Sequence, residues 1–341
     1  MFVYLKQCIK YFAIKCQELE KCNRFFCSSL ATRDVILFPG QGNQFVGMTK
    51  KLKNMPAAKH LFQIANQILG YNLLELCLCG PQTKLDRTEY CQPAIFTSSL
   101  AALEKYKELK GENWFTEGNI ATAGFSVGEI AALVLANILS FEDGLSLIDV
   151  RGKAMQQASD KTSSGMVAIS GLEEEEIREL LNEVRKTLSG DETDIQIASY
   201  LYKKGFVVAG GKKSIDRLMY MGKHSSVKMS QLPVSGAFHT QYMMSAQRKF
   251  ADALEKIDIK EPQIDVYSNV TGEKYESASD IRRLLSRQIA EPVQWTKIME
   301  RLRGAKFKET TYYEVGPGRQ LCTILAKSDR RLSKKCRSID V

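Results

Sequence analysis

Between DVILFPG, which starts at Asp34, and TYYEVGPG, which ends at Gly318, short β-branched runs alternate with longer helical patterns. That rhythm limits the fold more than any other feature of the chain. It builds a largely parallel sheet covered by helices, because each parallel strand needs a crossover to return to its starting edge. Strands are expected at Val35 to Phe38, Ile120 to Ala123, Val266 to Asn269 and Tyr312 to Val315. Asn54 and Pro56 open a helix that shows Leu61, Ile64 and Ile68 on one face and stops at Gly70. Pro93 opens another, through Phe96, Leu100 and Leu103, and Ser140 with Asp143 has capping-box spacing for a third, through Leu145, Ile148 and Met155.

Residues 161–232 break the rhythm. They read as strand (Met166 to Ser170), charged helix (Glu173 to Thr187), two strands (Ile195 to Leu201, Gly205 to Ala209), helix (Ser214 to Met221) and strand (Val227 to Leu232). That order is βαββαβ, a ferredoxin-like unit. The expected fold class is therefore α/β: a three-layer α/β/α large domain with a mainly parallel sheet and an α/β-hydrolase-like core, formed by 31–160 and 233–330. The ferredoxin-like subdomain at 161–232 is inserted into it, and a leader at 1–30 and a basic tail at 331–341 flank the whole.

GFSVG, from Gly124 to Gly128, sets Ser126 on an expected strand-to-helix turn. This is the nucleophile-elbow pattern, in which missing side chains make room for a sharp turn that exposes the hydroxyl. A helix beginning just after Ser126 points free N–H groups at the hydroxyl, and the amide of Val127 is the nearest donor for a developing oxyanion. A second donor is expected from FPGQGNQ, where Gly40 and Gly42 allow close approach and Gln41 can turn its main-chain N–H inward. That loop lacks the GKS or GKT of a P-loop and the GxGxxG of a dinucleotide site.

The base is sought among three histidines. His60 lies among helix-forming residues and His224 in a turn of the insert. His239, in LPVSGAFHT, stands where the chain returns to the large domain and is the expected base. No aspartate is marked as a third member, and a backbone carbonyl can orient an imidazole instead. Arg151 falls in the amphipathic helix that follows the one behind Ser126, one position from its apolar face. It either pairs with a nearby acid such as Asp149 or grips a substrate carboxylate with its fork.

The charge of +9, from 48 basic against 39 acidic residues, suits an acidic partner or a phosphorylated ligand, and it is densest in KSDRRLSKKCR. No zinc-finger spacing, RNP-type motif or long basic arm accompanies it, so nucleic acid is not expected. No apolar run approaches the roughly 18 residues that span a bilayer. Nine cysteines, four of them before residue 30 and two in a CxC at Cys77 and Cys79, read as reduced thiols. The first residues carry Lys6, Lys10, Lys15, Lys21 and Arg24 against Glu18 and Glu20, with aromatic residues interleaved. This is a basic amphipathic leader of mitochondrial presequence type with a cut expected near Cys27.

FPGQGNQ, QPAIF, GFSVGE, the arginine in DVRGKAM, VSGAFHT, QIAEPVQW and EVGPGRQL, in that order from about Val35 to Lys327, resemble the malonyl-CoA:acyl carrier protein transacylases, in their mitochondrial branch. The resemblance implies that Ser126 takes a malonyl group as an ester, with His239 as acid and base. Gln288 would orient the histidine through its main-chain carbonyl, and Arg151 would hold the malonyl carboxylate. Gln41 and the Val127 amide would form the oxyanion hole. It further implies Lys228 as a contact to pantetheine or its phosphate, and Phe238 as a bulky ring that crowds an α-methyl branch. An acidic acyl carrier protein in the mitochondrial matrix would be the acceptor. No cofactor or metal is implied beyond the phosphopantetheine of the acceptor, and a monomer is expected. Bacterial members usually carry histidine at Phe125, Asn43 replaces a serine common in the first loop, and IASYLYKKG lacks asparagines frequent in the bacterial version. The rival readings are a serine hydrolase or thioesterase that gives the acyl group to water, and a scaffold protein that kept the fold.

Overall fold

The computed structural model describes residues 32–111, 114, 119–189, 194–223, 227–303 and 309–341. The expected leader at 1–30 and His224 lie outside the described residues. In chain order the elements begin with β1 (Thr32–Phe38), α1 (Pro56–Leu69), α2 (Leu73–Cys79), α3 (Gln82–Leu85), α4 (Thr88–Lys110) and β2 (Asn119–Gly124). The elbow leads into α5 (Val127–Leu135), which is followed by α6 (Phe141–Lys161). The insert contributes β3 (Ser164–Ser170), α7 (Glu174–Lys186), β4 (Ile195–Tyr202), β5 (Gly205–Gly211), α8 (Lys212–Lys223) and β6 (Lys228–Gln231). Then come α9 (Met244–Leu254), β7 (Asp265–Val266), α10 (Ala278–Leu285), α11 (Trp295–Leu302), β8 (Glu309–Val315), α12 (Gln320–Ser328) and β9 (Cys336–Ile339).

The large sheet runs in the order β7-β2-β1-β8-β9, every pair parallel. Side chains of a strand alternate between faces, and in β1 both faces meet core. Ile36 and Phe38 join the side built from α1, α4, α5, α6 and α9, while Val35 and Leu37 pack with Trp295, Ile298, Leu321 and Leu325 of α11 and α12. Burial on both sides explains why the strand reads as an unbroken apolar run. α5 is apolar nearly all round because it lies wholly inside. α6 starts as its capping box requires, with the Ser140 side chain accepting from the Asp143 N–H.

The insert forms an antiparallel sheet in the order β4-β5-β3-β6. One face packs on α7 and α8 through Val167, Ile177, Leu181, Val208, Ile215 and Leu218. The other turns Met166, Val207 and Ala209 into the large core. Two main-chain hydrogen bonds, Tyr200 N to Val293 O at 2.8 Å and Val293 N to Ala198 O at 3.0 Å, fasten β4 to the segment before α11.

Four local expectations are corrected. α4 begins at Thr88, not at Pro93, which lies inside the helix. The Thr88 N–H is satisfied by the Gln156 side chain of α6 at 2.8 Å, a partner 68 residues away. β7 is two residues long, because the chain turns after Val266 and Tyr267 bridges Lys274 instead of extending the ladder. Residues 331–341 are not a free tail: β9 extends the sheet beside β8, and its Cys336 meets Cys322 of α12 in a disulfide with the Cα atoms 5.6 Å apart. That pair departs from the all-thiol reading, while Cys77, Cys79 and Cys91 are free.

Parallel strands leave their C-terminal ends on one edge, the usual position for a ligand in such sheets. Here that edge carries the loop after β1, the elbow after β2 and the turn after β7. The elbow is possible because a Cβ on Gly124 would lie 1.9 Å from the Gly128 carbonyl, and one on Gly128 would lie 2.3 Å from Phe38 O. Gly128→Ala must therefore push α5 away from β1. It is expected to destabilise the fold by about 3 kcal/mol and to lower activity with it, as read from the urea midpoint and from acyl loading. A variant with parental stability would show that this contact is not tight.

Candidate active site

Ser126 sits between β2 and α5 with φ 54° and ψ −109°, a conformation a non-glycine residue adopts only when its surroundings enforce it. Side chains from distant segments do the enforcing. Its N–H donates to Asn269 Oδ1 at 2.7 Å, and its carbonyl accepts from Gln288 Nε2 at 2.7 Å. Asn269 also donates to Gly124 O at 2.7 Å, so the turn after β7 bridges the elbow.

His239 reaches the same point from the segment that leaves β6, also with positive φ, 60°. Its N–H donates to Ile289 O at 3.0 Å, which places the ring against the loop before α11. Nδ1 lies 2.9 Å from the main-chain carbonyl of Gln288 and Nε2 lies 2.8 Å from Ser126 Oγ. A carbonyl can only accept, so Nδ1 carries the proton and Nε2 is free to accept the serine hydroxyl. Burial, reinforced by the charge of Arg151, pushes the imidazole down to about 4, so it is neutral and ready to take a proton at neutral pH.

Arg151, midway along α6, is fully buried. Its Nη1 donates to Gln92 Oε1 at 2.7 Å, and its Nη2 donates to Gln288 Oε1 at 2.7 Å and to Ser126 Oγ at 3.0 Å. No carboxylate among the described residues pairs with it. Asp149, the sequence alternative, is engaged by Lys153 at 2.7 Å. Burial lowers the guanidinium to about 10, which leaves it a cation at neutral pH. Its hydrogen-bond partners are all neutral, and the carboxylate of Glu129 acts on it without touching it.

The loop of Gln41 lies directly over the elbow: a Cβ on Gly40 would be 2.9 Å from Phe125 O. The Gln41 side chain donates to Thr88 Oγ1 at 3.3 Å, and Asn43 pins the loop by donating to Gly40 O at 3.0 Å and to Gln320 Oε1 at 2.6 Å. Val127, as the first residue of α5, has no acceptor for its N–H within the helix. Phe125 stacks edge-on against Trp295, centroids 5.5 Å apart, a packing role rather than a polar one. Phe238 is buried beside His239. Lys228, exposed at the start of β6, borders a cleft of about 660 Å³ between the insert and α12, with Asn43, Arg319 and Lys327 on its other walls. Ser126 is not a wall of that cleft. His60 is exposed on α1, far along the chain from these groups.

The structure thus brings Ser126, His239, Arg151 and Gln288 into hydrogen-bond contact, and Gln41, Val127 and Phe238 are neighbours of that group in chain or space. Three further residues were not singled out from sequence: Gln92, Asn269 and Glu129. Each stands in or beside a quoted motif or strand, but its partner is 59 to 159 residues away, so only the fold reveals it.

A hydroxyl bonded to a neutral imidazole, beside a buried cation and a helix N-terminus, can perform acyl transfer through a covalent ester. The acyl transferase domain family matches residues 35–338. The mitochondrial malonyl-CoA-acyl carrier protein transacylase of Homo sapiens is 42% identical over 318 residues, covering 90% of this chain and 80% of the relative. The chain belongs to the malonyl-CoA-acyl carrier protein transacylase family. Bacterial members are similar too: the transacylase of Bacillus subtilis is 35% identical, covering 87% of this chain and 90% of the relative. Among solved structures, the malonyl CoA-acyl carrier protein transacylase of Coxiella burnetii superposes with a TM-score of 0.82 at 30% identity, over 91% of this chain and 94% of that one. A malonyl-transacylase solved in complex with its type II PKS acyl-carrier protein gives 0.79 at 30% identity, over 90% and 94%.

Proposed function

We propose that this acyltransferase moves a malonyl group from malonyl-CoA to the phosphopantetheine thiol of an acyl carrier protein, as a step of fatty acid synthesis. The observation that carries the choice of acyl group is Arg151, a fully buried cation 3.0 Å from Ser126 Oγ with no carboxylate in contact with it among the described residues. Malonyl offers a carboxylate one methylene from the carbonyl that Ser126 attacks, so a single ligand spans both groups.

His239 Nε2 takes the Ser126 proton as Oγ attacks the thioester carbonyl, and the main-chain amides of Gln41 and Val127 hold the oxyanion. CoA leaves as the thiol after His239 returns the proton, and malonyl stays as an ester on Ser126. The carrier's thiol then gives its proton to His239 and attacks that ester, and Ser126 recovers the proton. Gln288 keeps the imidazole in the right tautomer through its carbonyl, Arg151 holds the malonyl carboxylate, and Phe238 crowds an α-methyl branch. Lys228, with Arg319 and Lys327 across the cleft, supplies positive charge for the phosphates of CoA or of the pantetheine arm. No resident cofactor or metal takes part.

The acceptor in this reading is an acidic carrier protein, and the site of action is the mitochondrial matrix, in keeping with the mitochondrial names of the human, mouse and Drosophila relatives. The working unit in this reading is a monomer: among the described residues the large exposed apolar side chains, Phe45, Leu109, Tyr220 and Met244, lie on four different segments.

Incubation with malonyl-CoA is expected to add one malonyl mass to Ser126, acetyl-CoA to add little, and carrier protein to remove the label by taking it over. Equal labelling by both thioesters would remove the role given to Arg151. Release of free malonate faster than carrier loading would turn the reading to a hydrolase.

A further inference from the structure

Beneath the elbow lies a carboxylate that the transfer steps do not use. Glu129, near the start of α5, is fully buried. Its Oε1 accepts from the Asn269 N–H at 3.0 Å and from the Tyr275 hydroxyl, and its Oε2 accepts from Gln288 Nε2 at 2.6 Å. Asn269 and Gln288 are the same two residues whose side chains hold the N–H and the carbonyl of Ser126.

Gln288 works at four points: its amide nitrogen donates to Glu129 and to Ser126 O, its amide oxygen accepts from Arg151, and its main-chain carbonyl accepts from His239. The two ends of a glutamine amide have nearly the same shape, so only their partners decide which way it faces. A carboxylate on one side and a guanidinium on the other permit a single orientation. Reversing the amide would set NH₂ against the guanidinium and oxygen against oxygen at both Glu129 and Ser126.

We propose that Glu129 is a positioning residue for acyl transfer: it fixes the orientation of the Gln288 amide, and through it the aim of Arg151 and the strained backbone of Ser126. The inference rests on the malonyl-transfer reading for what Arg151 is aimed at. Structural filling is a poor alternative, since an apolar side chain of the same volume would spare the desolvation of a buried charge. That desolvation is visible in the carboxyl, which burial pushes up to about 7 against the opposing hydrogen bonds from Tyr275, Gln288 and Asn269.

Glu129→Gln keeps the volume and the acceptor for Asn269 and Tyr275 but turns an NH₂ toward Gln288, forcing the amide to reverse. The acylation rate of Ser126 by malonyl-CoA is expected to fall about 10²-fold, the effect of a small misplacement in a site of this kind. The ratio of malonyl to acetyl acylation should fall with it, because Arg151 loses its aim. Leu218→Ala, in the insert's own core, serves as the destabilised reference: it should lower the melting temperature and leave that ratio alone. An unchanged rate and ratio in Glu129→Gln would overturn the proposal. So would a rate loss that only follows the melting temperature with the ratio kept, which would leave Glu129 a purely structural role. Labelling of Ser126 by a fluorophosphonate, run in parallel, needs no carboxylate. If the parent takes that label but no malonyl group, the substrate reading fails, and the proposal is judged on the label alone: slower labelling in Glu129→Gln supports it and equal labelling rejects it.

Discussion

Replacing Ser126 by glycine is expected to abolish malonyl loading and to leave a protein at least as stable as the parent. The loss of activity follows from removing the only atom on which the ester forms. In serine enzymes the absence of the nucleophile lowers kcat by roughly 10⁴-fold or more, leaving what binding and the oxyanion hole supply. The gain in stability follows from the backbone. At φ 54° and ψ −109° a Cβ is strained, and holding a non-glycine residue in such a region costs on the order of 1–3 kcal/mol. Glycine adopts it freely. Against that gain stand the lost hydrogen bonds of Oγ to His239 and Arg151, which a water in the vacated space can largely replace. A rise in the urea midpoint worth roughly 1 kcal/mol is the balance expected. Intact-mass analysis after incubation with malonyl-CoA reads the first effect and the unfolding curve the second. A malonyl adduct on the variant would mean another nucleophile. A clear drop in the midpoint would mean that the elbow is not strained, and that its two glycines, not the bonds from Asn269 and Gln288, are enough to shape it.

The parts of this structure that the sequence announces are those whose determinants are local. β1 reads as a strand because both its faces are buried from Val35 to Phe38 and that run is wholly apolar, and α6 because Ser140 and Asp143 cap it within one turn. GFSVG marks the elbow because steric exclusion at Gly124 and Gly128 is a property of five consecutive residues. β9 is silent in the sequence: CRSI follows a run of basic residues, and only Cys336 and Ile339 are buried against the two cores. The early start of α4 is silent for a related reason, since the acceptor that satisfies Thr88 comes from Gln156 on another helix. The site divides along the same line. Ser126, Arg151 and His239 stand in motifs or are rare by residue type. Glu129, Asn269 and Gln92 act on side chains and main-chain groups that the fold alone brings near, so no spacing along the chain encodes them. Residue chemistry left Arg151 two partners, and the geometry gives the first of them, Asp149, to Lys153.

Arg151→Met should reverse the acyl preference and, separately, move the pH dependence of acylation upward. Methionine keeps an unbranched stem in the same space and removes the fork, so the expected effect is electrostatic rather than a collapse of the core. Losing the partner of a buried, hydrogen-bonded carboxylate costs 2–5 kcal/mol or about 10²-fold or more in affinity and rate, so kcat/KM for malonyl-CoA should fall by that factor. Acetyl-CoA brings no carboxylate to leave unpaired in the vacated space, and its kcat/KM should hold or rise. The pH effect has a definite sign. His239 must be neutral to accept the serine proton, and in the parent it is pushed down to about 4, first by burial and then by the charge of Arg151. A nearby cation disfavours the imidazolium; removing it leaves burial, opposed by the hydrogen bond to the Gln288 carbonyl, and raises the histidine toward its ordinary value. The acid limb of kcat/KM, which reports the free enzyme, should therefore shift to higher pH. Acylation at about pH 5 should lose more than acylation at about pH 8, because only the lower pH then protonates a fraction of the imidazole. Rates with both thioesters across that range separate the two effects. A profile superposable on the parent's would show that the guanidinium does not act on His239, whereas retained malonyl preference would show that some other group reads the carboxylate.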